Sequence, residues 1–140
     1  MHATRSDESR RTLTDDRTRF EVMLFPGVPR IVSAARNVLS DLLGDDHPSL
    51  ADAKICQSEL ITNALRYSNS GNDGGQVRVE IEYDKAHTTV RVVDDGGSGT
   101  FPCLTEDADE SGRGLAIVEA LAETWGVRRI GAKTAVWFTI

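Results

Sequence analysis

Ser58-Glu59-Leu60-Ile61-Thr62-Asn63-Ala64, set beside Val93-Asp94-Asp95-Gly96-Gly97-Ser98-Gly99, decides how this chain reads. The first run puts a carboxylate and a carboxamide one helical turn apart. The second ends a strand in an acidic pair followed by a glycine-rich turn. A third run, Ser111-Gly112-Arg113-Gly114-Leu115, opens a further helix.

The regions around these runs supply a scaffold. Phe20 to Phe25 reads as a first strand, broken by Pro26-Gly27. Pro29 opens a helix with its apolar stripe on Val32, Ala35, Val38-Leu39 and Leu42-Leu43, and Gly44 ends it. Ser49, with Asp52 three residues on, is expected to cap a second helix that runs to about Tyr67. Its buried arc is Leu50, Ala53, Leu60, Ile61, Ala64 and Leu65. Residues 69–75 read as a flexible turn. Val77, Val79 and Ile81 alternate with polar residues, as do Val90 and Val92, and Asp84-Lys85-Ala86 is short enough to join the two strands as a hairpin.

Residues 97–112 show no periodicity and hold four acids, Glu106, Asp107, Asp109 and Glu110; they read as a loop, of a length that is usually functional or disordered. From Arg113 a helix runs through Leu115, Val118 and Leu121 to Trp125, with Gly126 as its stop. Val127–Ile130 and Ala135–Ile140 form a second hairpin. The order β-α-α-β-β-loop-α-β-β predicts an α/β two-layer sandwich: a mixed, mostly antiparallel sheet with three helices on one face.

On this scaffold the three runs acquire chemistry. Four residues of helix rotate about 400°, so Glu59 and Asn63 lie about 40° apart, beside the buried arc. A carboxylate there can accept a proton from an attacking hydroxyl. An amide oxygen is a hard, neutral ligand suited to Mg²⁺, which keeps waters and binds phosphate oxygens. By spacing alone the pair also suits a solvated helix face.

Asp94 shares the inward phase of Val90 and Val92. A carboxylate aimed at the core side needs a donor, and the exocyclic amine of adenine would serve. Gly96 and Gly97 permit close approach of the backbone, although Asp-Asp-Gly-Gly is also an ordinary turn. Gly112, Arg113 and Gly114 at a helix start suit phosphate: free amides, little bulk and a cation. The three runs fall mid-helix, at a strand end and at a helix start, where a nucleotide pocket needs them. A near P-loop, residues 126–134, is set aside because Ala132 spoils the spacing and a β-rich run follows it.

The bulk numbers agree. At 140 residues the chain reads as one domain, 19–140, behind a mobile polar tail, 1–18. Sixteen basic against 22 acidic residues give a net charge of −6, which argues against nucleic acid as a direct partner. No apolar run approaches a membrane span. Two cysteines without metal-ligand spacing suggest a reducing cytoplasm, with Cys56 an ordinary core residue. The histidines, His2, His47 and His87, lie outside any predicted helix, so a phosphoacceptor-histidine helix is not expected.

These residues resemble a known family. Residues 20–140 look like the GHKL, or Bergerat-fold, ATP-binding domain shared by gyrase-type topoisomerases and sensor histidine kinases. Within it they most resemble the anti-sigma-factor serine kinases of the RsbW/SpoIIAB type, particularly the actinobacterial ones. Glu59–Arg66 matches the N box and Val93–Gly97 the first glycine box. Gly112–Val118 with Trp125-Gly126-Val127 matches the second, and Lys133–Phe138 the closing strand.

The resemblance implies a Bergerat ATP-binding sandwich that uses ATP and Mg²⁺. Glu59 would be the general base and Asn63 the magnesium ligand. Asp94 would hold adenine, with Asp95 the alternative acid. Gly96, Gly112, Arg113, Gly114, Leu115 and Thr134 would contact the nucleotide, and residues 97–112 would be its lid. It further implies a serine/threonine kinase that phosphorylates a STAS-type anti-sigma-factor antagonist and sequesters a sigma factor, as a possible homodimer. The alternative is a nucleotide-binding, partner-switching module without kinase turnover.

Overall fold

A computed structural model describes residues 17–97 and 110–140, with side chains from 113 onward in the second stretch. Most of the expected polar tail and the centre of the expected lid lie outside the described residues, as does Cys103. The elements are β1 (Arg19–Pro26), α1 (Ile31–Leu43), α2 (Leu50–Tyr67), a 3₁₀ turn (Asn69–Gly71), β2 (Gln76–Tyr83), β3 (Thr88–Asp94), α3 (Glu110–Leu121), β4 (Thr124–Ile130) and β5 (Lys133–Thr139).

The five strands form one sheet in the order β1-β2-β3-β5-β4. Among the described residues every pairing is antiparallel, with none of the expected mixed character. α3 carries the chain from β3 to the far edge, and the β4–β5 hairpin then returns β5 to lie beside β3. The expected two-layer sandwich is therefore present.

Strand alternation sets which face is covered. In β2, Val77, Val79, Ile81 and Tyr83 are buried while Gln76, Arg78 and Glu82 are exposed. Val90 and Val92 of β3 and Val136 and Phe138 of β5 continue the inner face. Ile31, Ala35 and Leu39 of α1, Ala53, Leu60 and Ile61 of α2, and Leu115 and Val118 of α3 close over it. Each large apolar side chain buried here contributes about 1.5–3 kcal/mol. On the opposite face of the edge strand β1, Phe20, Val22 and Leu24 are exposed.

Several local expectations change. Gly44 does end α1, at φ 84°, with its N–H donated to the Ser40 carbonyl. Ser49 makes no side-chain cap. Its hydroxyl instead lies 3.1 Å from the Ala86 carbonyl and 3.3 Å from that of Ile140, joining the start of α2 to the β2–β3 turn and the last strand. His47 completes this junction. Its Nε2 is 2.7 Å from the Asp84 carbonyl and its Nδ1 accepts the Ser49 N–H at 3.0 Å, so the ring carries its proton on Nε2. The turn over residues 69–75 contains a 3₁₀ turn with Ser70 wholly buried.

The last helix stops at Leu121, not Trp125, and Gly126 is not its stop. Trp125 and Gly126 belong to β4, opposite Phe138 and Trp137. Tertiary pairing overrides the helical reading because Trp125 finds core contact from the strand. Gly126 is needed there for space: a Cβ would sit 2.8 Å from the Trp137 ring.

Candidate nucleotide site

α2 and α3 pack side by side over the sheet and meet at the first and third of the sequence-predicted runs. A Cβ placed on Gly114 would lie 3.1 Å from Glu59 Oε2 and 3.2 Å from Asn63 Nδ2. The carboxylate, the amide and the glycine backbone therefore share one spot. Asn63 Nδ2 is buried and has no hydrogen-bond partner among the described residues. Because the oxygen and nitrogen of an amide are assigned from their partners, this is an amide group with unmet bonding capacity.

That orphaned amide fits a magnesium–phosphate group. Among the described residues no three His, Cys, Asp or Glu side chains gather as a metal cage. An ion here would take most of its oxygen ligands from phosphate and water, which is the habit of Mg²⁺.

The helix start differs from expectation in its register. α3 begins at Glu110, so Gly112 sits in the first turn, where backbone N–H groups lack ladder partners, while Gly114 lies further in. Gly112 can thus offer a free amide to an anion, whereas Gly114 offers room. Arg113 is exposed. Leu115, one residue further on, is fully buried in the core.

Asp94 ends β3 on the helix-covered face, 9% exposed, with Thr134 (4% exposed) opposite it in register. Burial pushes its carboxyl above the ordinary value. The backbone N–H groups of Gly96 and Thr134 oppose that rise, Asp95 adds to it and Lys133 opposes it. Asp95 points elsewhere. It accepts the Gln76 N–H at 2.8 Å and the Lys133 ammonium at 3.0 Å. Partial burial pushes the Asp95 carboxyl up, but those two partners outweigh it and hold it below the ordinary range. Protein groups occupy the Asp95 carboxylate, and strand phase aims Asp94 inward.

The following turn needs glycine. Gly96 and Gly97 have φ values of 67° and 87°. A Cβ on Gly96 would be 1.8 Å from the Ala132 carbonyl oxygen, and one on Gly97 would be 1.9 Å from Asn69 Nδ2. Sequence reasoning missed Asn69, Ser70 and Lys133. The first two read as turn residues, and nothing local marks their partners. Residues 126–134, the near P-loop, form β4, a turn and β5, with no helix after them.

Fold and site together describe a two-layer ATPase-type domain. Residues 25–140 match the family model described as histidine kinase-like ATPase domain, and the chain belongs to that family. Within it the chain is a distant relative of proteins named serine-protein kinase RsbW. It is 32% identical to that of Listeria monocytogenes serotype 4a (strain HCC23) over 114 residues, 70% of this chain and 72% of that protein. It is 27% identical to that of Oceanobacillus iheyensis over 116 residues, 72% and 73% of the two chains. An anti-sigma F factor of Clostridium botulinum is 24% identical over 82 residues, 53% of this chain and 57% of that one. The crystal structure of the RsbU and RsbW domains of Rv1364c from Mycobacterium tuberculosis superposes with a TM-score of 0.62 at 19% identity. That match covers 86% of this chain and 31% of the longer one, and it shows the fold. Among the described residues no helix is long and apolar enough to cross a membrane.

Proposed function

We propose that this protein is an ATP-dependent serine/threonine kinase that phosphorylates a STAS-type anti-sigma-factor antagonist and sequesters a sigma factor. The observation that carries the reading is the meeting of Glu59, Asn63 and Gly114 at one spot across the α2–α3 interface. The relatives named serine-protein kinase support a protein serine as substrate, the relative named anti-sigma F factor supports a sigma factor as partner, and the STAS-type antagonist is what the family resemblance implies.

Each residue has a role in this reading. Asp94 accepts a hydrogen bond from the adenine amine, and Thr134 stands beside it. Gly96 gives the base room, and Gly112, Arg113 and Gly114 receive the phosphates. Asn63 would hold a magnesium ion through its amide oxygen. Bound Mg²⁺ would neutralise phosphate charge as the γ-phosphoryl group moves to the substrate hydroxyl. Glu59 takes the proton from that hydroxyl, a contribution of about 10²–10⁴-fold in rate. Catalysis otherwise consists of positioning and electrostatics.

The test is to incubate the full chain with labelled ATP, Mg²⁺ and candidate antagonists, and to assay for phosphoserine. Wild type transfers label, while Glu59→Ala loses transfer and keeps partner binding. Transfer unaffected by Glu59→Ala would remove Glu59 from the mechanism. Nucleotide binding without any transfer would leave a partner-switching module.

A further inference from the structure

The helix that carries Glu59 and Asn63 is tied to the strand end that carries Asp94 by the residues just after α2. Ser68 closes that helix. Its hydroxyl donates to the Ala64 carbonyl at 2.7 Å and accepts the Ser70 N–H at 3.0 Å. Asn69 N–H donates to the Gly96 carbonyl at 2.8 Å. The Ser70 hydroxyl donates to the Gln76 carbonyl at 2.6 Å and accepts the Asp95 N–H at 2.9 Å. The Asp95 carboxylate closes the ring through Gln76 N–H and Lys133.

This ring surrounds the peptide groups that orient the adenine acid. Asp94 Oδ1 accepts the Gly96 N–H at 2.7 Å. Ser70 holds the Asp94–Asp95 peptide by its N–H, and Asn69 holds the peptide after Gly96 by its carbonyl. There is little slack, since a Cβ on Gly75 would lie 2.1 Å from the Ser70 carbonyl oxygen, and one on Gly27 would lie 1.5 Å from it. One hydroxyl oxygen both donates to the Gln76 carbonyl and accepts the Asp95 N–H. Alanine at position 70 would remove the hydroxyl partner of two part-buried backbone groups, the Gln76 carbonyl and the Asp95 N–H.

We propose that Ser70, with Asp95, is a positioning residue for base recognition: it locks the Asp94 carboxylate at a fixed disposition to Asn63, so that base and metal–phosphate ends are read as one rigid unit. This rests on the reading that Asp94 receives the adenine amine.

The experiment measures dissociation constants of the full chain for ATP and ITP, each with Mg²⁺, by calorimetry. ITP carries a keto group where ATP carries the amine. Wild type prefers ATP by about tenfold or more, because a carboxylate facing a keto oxygen has lost its donor. In Ser70→Ala that preference shrinks at least about threefold through weaker ATP binding, with ITP affinity retained, and Ser70→Thr restores it. Asp95→Ala, nearer the surface, shifts the preference in the same direction and serves should Ser70→Ala not fold. A folded variant, Ser70→Ala or Asp95→Ala, with the wild-type ATP-to-ITP ratio overturns the positioning role, however far its melting temperature drops. Equal binding of the two nucleotides by wild type overturns the assignment of Asp94 itself, and this proposal with it. Binding of neither overturns the nucleotide reading altogether.

Discussion

Gly114 and Glu59 meet across the α2–α3 interface so closely that a Cβ on Gly114 would stand 3.1 Å from Glu59 Oε2. The same Cβ would stand 3.2 Å from Asn63 Nδ2. Gly114 therefore serves the site through the side chain it lacks. Gly114→Ala is expected to raise helix stability by about 0.5–1 kcal/mol. It is also expected to push Glu59 and Asn63 aside and slow phosphoryl transfer about tenfold or more. Thermal melting and phosphotransfer measured on the same sample check this; a variant with unchanged transfer would refute it.

Asp94 imposes a stability cost at neutral pH. Its folded carboxyl lies above the ordinary value because of burial. The sign follows: its contribution favours folding below the unfolded carboxylate value and is lost as pH rises through the folded one. Asp94→Asn should raise the melting temperature at pH 7 by about 2–4 °C, with the gain vanishing below about pH 4. ATP affinity should fall. A lower melting temperature at pH 7 would contradict the assignment.

Asp84 and Asp95 behave in the opposite way. The Ala86 and His87 N–H groups hold Asp84 below the ordinary range, and Gln76 and Lys133 hold Asp95 there against the effect of burial. Their contribution is present above the unfolded carboxylate value and is lost as pH falls through the folded values. Asp84→Ala and Asp95→Ala should each lower the pH 7 melting temperature by about 2–4 °C. The gap from wild type should narrow as pH falls below the ordinary carboxylate value. A gap that stays constant with pH would refute it.

Cys56 should be chemically silent. Burial, with the Asp52 and Glu59 carboxylates, pushes its thiol up to about 11. At pH 8 only about one in a thousand of these thiols would be ionised, and reagents attack the thiolate. In a Cys103→Ser background a thiol reagent should label Cys56 only at the rate of unfolding, and denaturant should accelerate labelling. Fast labelling of folded protein would show the site to be open.

Much of the fold was legible because the signals are local. The stripe from Ala35 to Leu43, the alternation from Val77 to Ile81 and the break at Gly44 identify their elements without knowledge of neighbours. Glu59 and Asn63 could be placed on one helix flank by angle, and Asp94 inward by strand phase. Trp125 misled because an apolar residue just past a helical stripe suits either period, and contact with the core decided for the strand. Ser49 misled because its hydroxyl found better partners in distant carbonyls than in its own helix.

The amino-acid sequence by itself determined the kinds of element, their order, and the chemical groups each would carry, since helix and strand periods and glycine breaks act within a few residues. Tertiary structure alone decided that β5 lies between β3 and β4, and that Gly114 lies against Glu59 and Asn63. It also decided that Ser70 and Lys133 hold the strand end of Asp94 from 25 and 38 residues away from Asp95. The reason is physical. A hydroxyl or ammonium carries no local mark of its distant partner, and only the closing of the helices over the sheet brings donor and acceptor together and removes the water that would compete.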